Sequence, residues 1–494
     1  MTAQPVPEVH RWRAFALLVV AFFMTVVDLT IVNVSLPTIG RALDFSESNL
    51  QWVVTAYGIA FGGFLLLGGR AADLLGRRRL LMVGLAIFTG ASLAAGLATN
   101  DGFLIAMRGL QGLGAAVVLP AALSIVMNMF AEGAERNKAL GLWGAIGAAG
   151  ATFGVIAGGL LTRYAGWQYI FYLNVPVGAA ALLLTPRIVP ESRLAGGRRR
   201  FDPLGAVTVT AALLLLVYTI SNAPRVGWGS ARTVALLAVS AALVLAFLVV
   251  EARASAPLMP LRVFRSRMVS VSNAVGLLLG GSFFAFIFVG TLYMQQVLHY
   301  SALQTGTAWL AATITSVALA GVSQKLVTRV SAGPVMALGM AMIAAGILWA
   351  AQAPVHGHFW SALAGPFFVA GAGTAFAFIP VSIGGLSGVT EQEAGLASGL
   401  LNTSQQLGGA IGVAIASTVA ATRLGTLLSQ GKPASVALTG GFHWALWVCG
   451  AIALLALPTT ATLMRRKGAQ AGPATIDTAQ REEATTGSFE QITR

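Results

Sequence analysis

Fourteen long apolar runs, joined by short polar connections, decide what this chain can become. They lie at 14–36, 50–67, 80–98, 103–127, 139–161, 169–184, 204–220, 233–250, 269–293, 306–326, 334–351, 360–383, 396–421 and 442–464. Most approach the roughly 20 residues that a helix needs to cross about 30 Å of hydrocarbon. A soluble core stops growing near ~250–300 residues and could not bury so many. Soluble chains also carry about 25% charged residues, whereas these 494 residues are 10% charged and 56% hydrophobic. The expected fold class is therefore all-α and integral to a membrane.

Basic residues orient the runs, because connections facing the cytoplasm are enriched in Lys and Arg. With residues 1–13 inside, twenty-two of the 31 Lys and Arg fall on inner connections, including Arg11 and Arg13, Arg77 to Arg79, Arg193, Arg198 to Arg200 and Arg465 to Lys467. Arg41, Arg163, Arg225, Arg232, Arg423 and Lys432 fall outside. A missed or invented span would scramble this alternation, so both termini are expected in the cytoplasm. The connection around Glu391 and Glu393 lacks positive charge, and the last two spans rest on parity and the Arg465 cluster. No small-residue cleavage site follows the first run, which reads as an anchor.

The same distribution limits function. A net charge of +14 resides in clusters between apolar runs and not along one surface, so no nucleic-acid partner is expected. Cys449 is the sole cysteine and offers no disulfide or thiolate cluster. Gly431-Lys432-Pro433 lacks the earlier glycine of a phosphate loop. His356 and His358 have no nearby carboxylate to complete a zinc site. No cofactor and no metal are expected, and a membrane-embedded enzyme is disfavoured. The tail from Gly468 is polar and reads as disordered. Abundant Arg, Ala and Gly fit a GC-rich bacterial genome.

Several strings stand out. The first run carries Asp28-Leu-Thr-Ile-Val-Asn33-Val-Ser-Leu-Pro37, the only carboxylate within the runs as delimited. A charge at that depth costs about 2.5–3.5 kcal/mol even on lenient scales, so Asp28 is a proton or ion site or a structural acid paired to a neighbouring helix. The second connection reads Gly69-Arg-Ala-Ala-Asp73-Leu-Leu-Gly76-Arg77-Arg78-Arg79, a tight-turn glycine, a lone acid and a basic cluster that is either more than a topology signal or simply one. Run 4 holds Arg108-Gly-Leu-Gln111-Gly112, and an arginine there needs a partner. Run 5 carries Gly150, Gly154, Gly158 and Gly159, a smooth face that close helix packing alone would explain. Trp167 to Gly178, containing Asn174 and Pro176, and Asn402-Thr-Ser-Gln-Gln406-Leu-Gly-Gly are further distinctive strings.

Together these strings resemble the major facilitator superfamily and, within it, the fourteen-span drug:proton antiporters, over 14–464. The resemblance implies an N-terminal six-helix bundle (14–185), cytoplasmic loops with two inserted helices (186–268), a C-terminal six-helix bundle (269–464), and cytoplasmic ends at 1–13 and 465–494. It implies proton coupling through Asp28 and Arg108, a cytoplasmic gate of Gly69, Asp73, Gly76, Arg77 and Arg78, and an antiporter motif at Gly150, Gly154, Gly158 and Gly159. Leu74, Val155 and Gln405 depart from the family patterns, which have a basic residue, proline and arginine there.

Asn33, Tyr57, Gln111 and Gln406 are candidate cavity residues, and Phe283, Phe284, Phe286, Tyr293 and Met294 could add an adaptable apolar lining. The expected activity is proton-coupled efflux of small lipophilic drugs or antibiotics from a bacterial cell, by a monomer in the plasma membrane. Its partners would be protons, the small-molecule substrate and the bilayer. A proton- or ion-coupled importer on the same fold is the alternative. Replacing Asp28 by Asn is expected to remove the titratable proton while leaving packing intact.

Overall fold

The computed structural model describes residues 8–45, 50, 52–130, 133–191, 202–254, 257, 261–389 and 394–464. Arg193, Arg198 to Arg200, Glu391, Glu393, the Arg465 cluster and the tail lie outside the described residues.

Fourteen helical spans occupy the fourteen apolar runs. In the first half they are α1 (Glu8–Ala42), α2 (Trp52–Leu75), α3 (Arg77–Gly96), α4 (Asp101–Met129), α5 (Ala134–Tyr164) and α6 (Tyr169–Tyr172 continuing as Asn174–Ile188). Then come α7 (Pro203–Val226) and α8 (Ala231–Arg253). The second half has α9 (Arg267–Gln296), α10 (Ala302–Arg329), α11 (Ala332–Ala350), α12 (Phe359–Leu363 continuing as Ala364–Gly385), α13 (Ala394–Ser429) and α14 (Ala434–Leu454 and Ala456–Met464). Among the described residues thirteen of these are apolar and long enough to cross a membrane. The remaining one, α5, has 31 residues, about 46 Å at 1.5 Å per residue, which is also long enough.

Local sequence sets the helix ends. Asn100 accepts from Phe103 N at 2.9 Å to cap α4, and Asp202 and Ser230 cap α7 and α8 in the same manner. Ser301 and Gln304 form a reciprocal capping box on α10. Each cap satisfies N–H groups that the first helical turn leaves without partners.

The helices extend beyond the apolar runs, since hydropathy marks only the stretch that needs lipid while a helix continues through the wet interface. Residues 8–13, expected as a polar terminus, begin α1, and α2 reaches Leu75 where 67 was expected. This overturns the uniqueness of Asp28, because Asp73 and Glu251 also lie on spanning helices, α2 and α8, and both are buried.

Helices α1 to α6 pack into one bundle and α9 to α14 into another. The bundles meet along two seams, α5 against α10 and α12, and α2 and α4 against α13. Helices α7 and α8 form a pair outside both; α7 lies on α2 and α13, and α8 packs chiefly on α7. Only 17% of the apolar window of α8 is buried, as suits a helix facing lipid.

Candidate functional site

The spacing Arg108-Gly-Leu-Gln111 puts two polar side chains on one face of α4, and that face turns inward towards Asp28 on α1. Arg108 Nη1 donates to Asp28 Oδ2 at 2.6 Å, and both side chains are 1% exposed or less. Gln111 Nε2 donates to Asp28 Oδ1 at 3.1 Å, and Asn174 Nδ2 on α6 donates to the same oxygen at 2.8 Å. The carboxylate thus accepts from side chains on two other helices. Removing either member of such a buried pair typically costs about 3–5 kcal/mol, since the remaining charge is left in low dielectric.

The guanidinium is held from several sides. Its Nε donates to the Val53 carbonyl on α2 at 2.9 Å, and Nη1 also donates to Gln111 Oε1 at 2.9 Å. The Tyr57 ring lies 4.4 Å from its central carbon and the Phe171 ring 5.9 Å, within the range of cation–π attraction. Gln111 Nε2 donates further to Ser92 Oγ on α3 at 2.7 Å. Tyr57 and Gln111, candidate cavity residues by sequence, are fully buried members of this network. Asn33 is exposed, with its Nδ2 bonded to the Leu29 carbonyl at 3.1 Å, and Gln406 is half-buried on α13. Phe286, Tyr293 and Met294 are buried in the core of the second bundle.

Asn174 and Ser92 escaped the sequence reasoning. Asn174 sits in the flagged string, and its signal was a lone amide in an apolar run two residues before a proline. Pro176 has no N–H for the Tyr172 carbonyl, and α6 is interrupted at Leu173, just before Asn174.

A second cluster lies at the opposite end of α2. Arg77 donates to Asp73 Oδ1 from Nε and Nη2 at 3.1 and 3.0 Å, and Ser124 Oγ lies 3.4 Å from that oxygen. Asp73 Oδ2 accepts from the Leu396 N–H at 3.1 Å, so one carboxylate ties α2 of the first bundle to the start of α13 in the second. Gly76, at φ 107°, turns the chain between α2 and α3 in a single residue, a backbone conformation that side chains disfavour. Gly69 is buried one turn before Asp73. Arg78 stays within the first bundle: its Nη1 donates to the Pro186 and Val189 carbonyls at 3.3 Å, and Glu191 lies 3.7 Å from its Nε.

The glycines of α5 face α1. A methyl on Gly158 would lie 2.6 Å from the Ile31 carbonyl oxygen, and one on Gly154 would meet Thr30 Oγ1. Gly150 abuts Phe23 and Val26, while Gly159 looks towards Leu303 on α10. The row therefore lets α5 press against the helix that carries Asp28. With Val155 in place of proline, which would kink it, α5 is a single uninterrupted helix.

Two bundles of six helices, tied to each other through the buried Asp73 and with a buried ion pair inside the first, define a membrane transporter. The model of the Major Facilitator Superfamily matches residues 18–413 and 276–486, and the chain belongs to that family. It is 39% identical over 427 residues to the cephamycin export protein CmcT of Amycolatopsis lactamdurans, covering 86% of this chain and 87% of that one. It is 36% identical over 461 residues to the puromycin resistance protein pur8 of Streptomyces alboniger, covering 92% and 91%. The crystal structure of the human organic anion transporter MFSD10 shares the fold with TM-score 0.65 at 16% identity, covering 92% of this chain and 100% of that one.

Proposed function

We propose that this transporter expels small lipophilic drugs or antibiotics across the bacterial plasma membrane in exchange for protons, by alternating access of the two bundles. The observation that carries the proposal is Asp28, fully buried on α1 and bound by Arg108, Gln111 and Asn174. A proton arriving at this carboxylate removes the charge that holds Arg108 and loosens the tie of α1 to α4 and α6. Deprotonation restores it. Asp28 and Arg108 are the coupling pair, and Gln111 and Asn174 position the acid. The cross-bundle bond from Leu396 to Asp73 is the element that must break when the cytoplasmic side opens. Export as the direction is supported by the export and resistance proteins to which the chain is similar.

No cofactor is required, because a proton moving down a membrane potential carries about 2.3 kcal/mol per 100 mV. Since Arg108 already neutralises Asp28, a dication would bring two uncompensated charges into low dielectric where a monocation brings one, and its desolvation costs correspondingly more. Neutral, zwitterionic and monocationic compounds are the expected substrates. The proposal is tested in proteoliposomes with an imposed pH gradient, following substrate and proton together. The parent should concentrate substrate with coupled proton movement, and Asp28→Asn/Arg108→Gln, which removes both charges, should transport only downhill. Uphill, proton-coupled transport by that variant sinks the assignment. In cells, expression should lower the accumulation of a monocationic dye, whereas raised accumulation would indicate import.

A further inference from the structure

At the membrane face opposite the Asp73 gate, a cavity of about 370 Å³ opens between α2, α7 and α8. It is far from the Asp28 network in character: two arginines, Arg225 and Arg232, line it, and among the described residues no carboxylate does. Arg232 Nη2 donates to the Tyr218 hydroxyl at 2.9 Å, and the Tyr218 ring stacks on Trp52 with centroids 5.8 Å apart. Asn222 commits its Nδ2 to the Tyr218 carbonyl at 2.8 Å. Both arginines are exposed, and a guanidinium presents five N–H donors in a fork that fits a phosphate.

We propose that this cavity binds the anionic phosphodiester headgroup of a membrane lipid. Its depth is right: Arg225 lies in the last turn of α7 and Arg232 in the first of α8, where Trp and Tyr characteristically mark the headgroup level. Basic pockets between membrane helices suit lipid headgroups. The surface below is right as well. Val239, 50% exposed, and the half-buried Leu243 and Val250 follow Arg232 at i+7, i+11 and i+18 along one side of α8, an apolar track on which acyl chains can lie while the headgroup occupies the cavity. A free phosphate would use the arginines and leave that track unused, so the combination selects an amphiphile. Such a lipid would sit between the inserted pair and α2 of the first bundle.

Binding is independent of transport and of membrane orientation, so the test stands apart from the efflux proposal. The purified full-length protein in detergent is offered phosphatidylglycerol, phosphatidylcholine or glycerol 3-phosphate, and bound molecules are counted by native mass spectrometry. The parent should retain one phosphatidylglycerol at least about tenfold more tightly than phosphatidylcholine, a discrimination that one charge-assisted contact can supply. Arg225→Gln/Arg232→Gln should lose that preference while keeping its melting temperature, and Arg232→Gln alone should weaken it should the double variant not fold. Equal retention of the two lipids by the parent, or an undiminished preference in either variant, overturns the proposal. Displacement of the lipid by equimolar glycerol 3-phosphate would assign the cavity to a soluble anion and overturn it too.

Discussion

Asp28 illustrates how much a single side chain depends on what meets it. From sequence, Asn at this position is the mildest change, but the geometry says otherwise. Oδ1 accepts from Gln111 and Asn174 and Oδ2 from Arg108, so an amide that keeps its carbonyl towards the first two must aim its own N–H₂ at a guanidinium. Asp28→Asn should therefore lose about 3–5 kcal/mol by stranding the buried Arg108, and Arg108→Gln should lose a similar amount by stranding Asp28. The double variant should be more stable than the sum of the two losses requires, by at least about 1 kcal/mol. Thermal unfolding of the four proteins in one detergent measures this, and strict additivity would show that the pair is not coupled. Asp73 makes a related prediction. Asp73→Ala removes the acceptor of Leu396 N–H and weakens the closed gate by a charge-assisted bond of about 1.5–3 kcal/mol. Ser398→Cys, at a buried position two residues along α13, in a Cys449→Ser background, should then react with maleimide at least about tenfold faster than with Asp73 present. Unchanged labelling would mean that the bond does not hold the gate.

At the scale of the helix, the glycines of α5 are a packing surface, and their consequences differ from those of glycines elsewhere. Gly158→Ala puts a methyl 2.6 Å from the Ile31 carbonyl, so α5 and α1 must separate, an overpacking cost of about 1–3 kcal/mol. Gly90 on α3 is exposed and has nothing within 4 Å of such a methyl, so Gly90→Ala should be neutral or stabilising by up to about 1 kcal/mol through helix propensity. Melting temperatures of the two variants should move in opposite directions or differ clearly, and equal shifts would contradict the packing account. This scale also separates what was legible in the chain from what was not. Apolar length disclosed all fourteen spans, since each must satisfy its own backbone in lipid, and the charged residues within apolar runs disclosed Asp28 and Arg108. Asn174 and Ser92 stayed hidden because a lone amide or hydroxyl in an apolar run announces neither its facing nor its partner. Glu251 and the full extent of α2 stayed hidden because hydropathy ends where lipid does, not where the helix does. The cavity of the inserted pair needed three helices to be placed before its arginines could be seen together.

For the whole molecule, an even number of spans would put both ends on one side, which the charge distribution leads us to expect is the cytoplasmic one. The outer connections hold only six of the 31 Lys and Arg, an asymmetry that opposes the inverted insertion. The α7–α8 and α13–α14 connections are therefore expected outside and the α10–α11 connection inside. Suitable probes follow from the backbone. Gly431 has φ 73°, so a cysteine there would be strained, and Ser230 caps α8. Gly229 and Lys432 are exposed neighbours free of those duties, and Thr328 is exposed near the end of α10. With Cys449 replaced by Ser, Gly229→Cys and Lys432→Cys should react with an impermeant maleimide added to intact cells, while Thr328→Cys should react only after permeabilisation. Lys432→Cys is the decisive probe, because the α12–α13 connection contributes no basic residue and the last two spans are oriented only by parity and the Arg465 cluster. If Lys432→Cys were protected while Gly229→Cys reacted, α13 and α14 would not both cross, and the second bundle would lose the helix that closes the gate against Asp73.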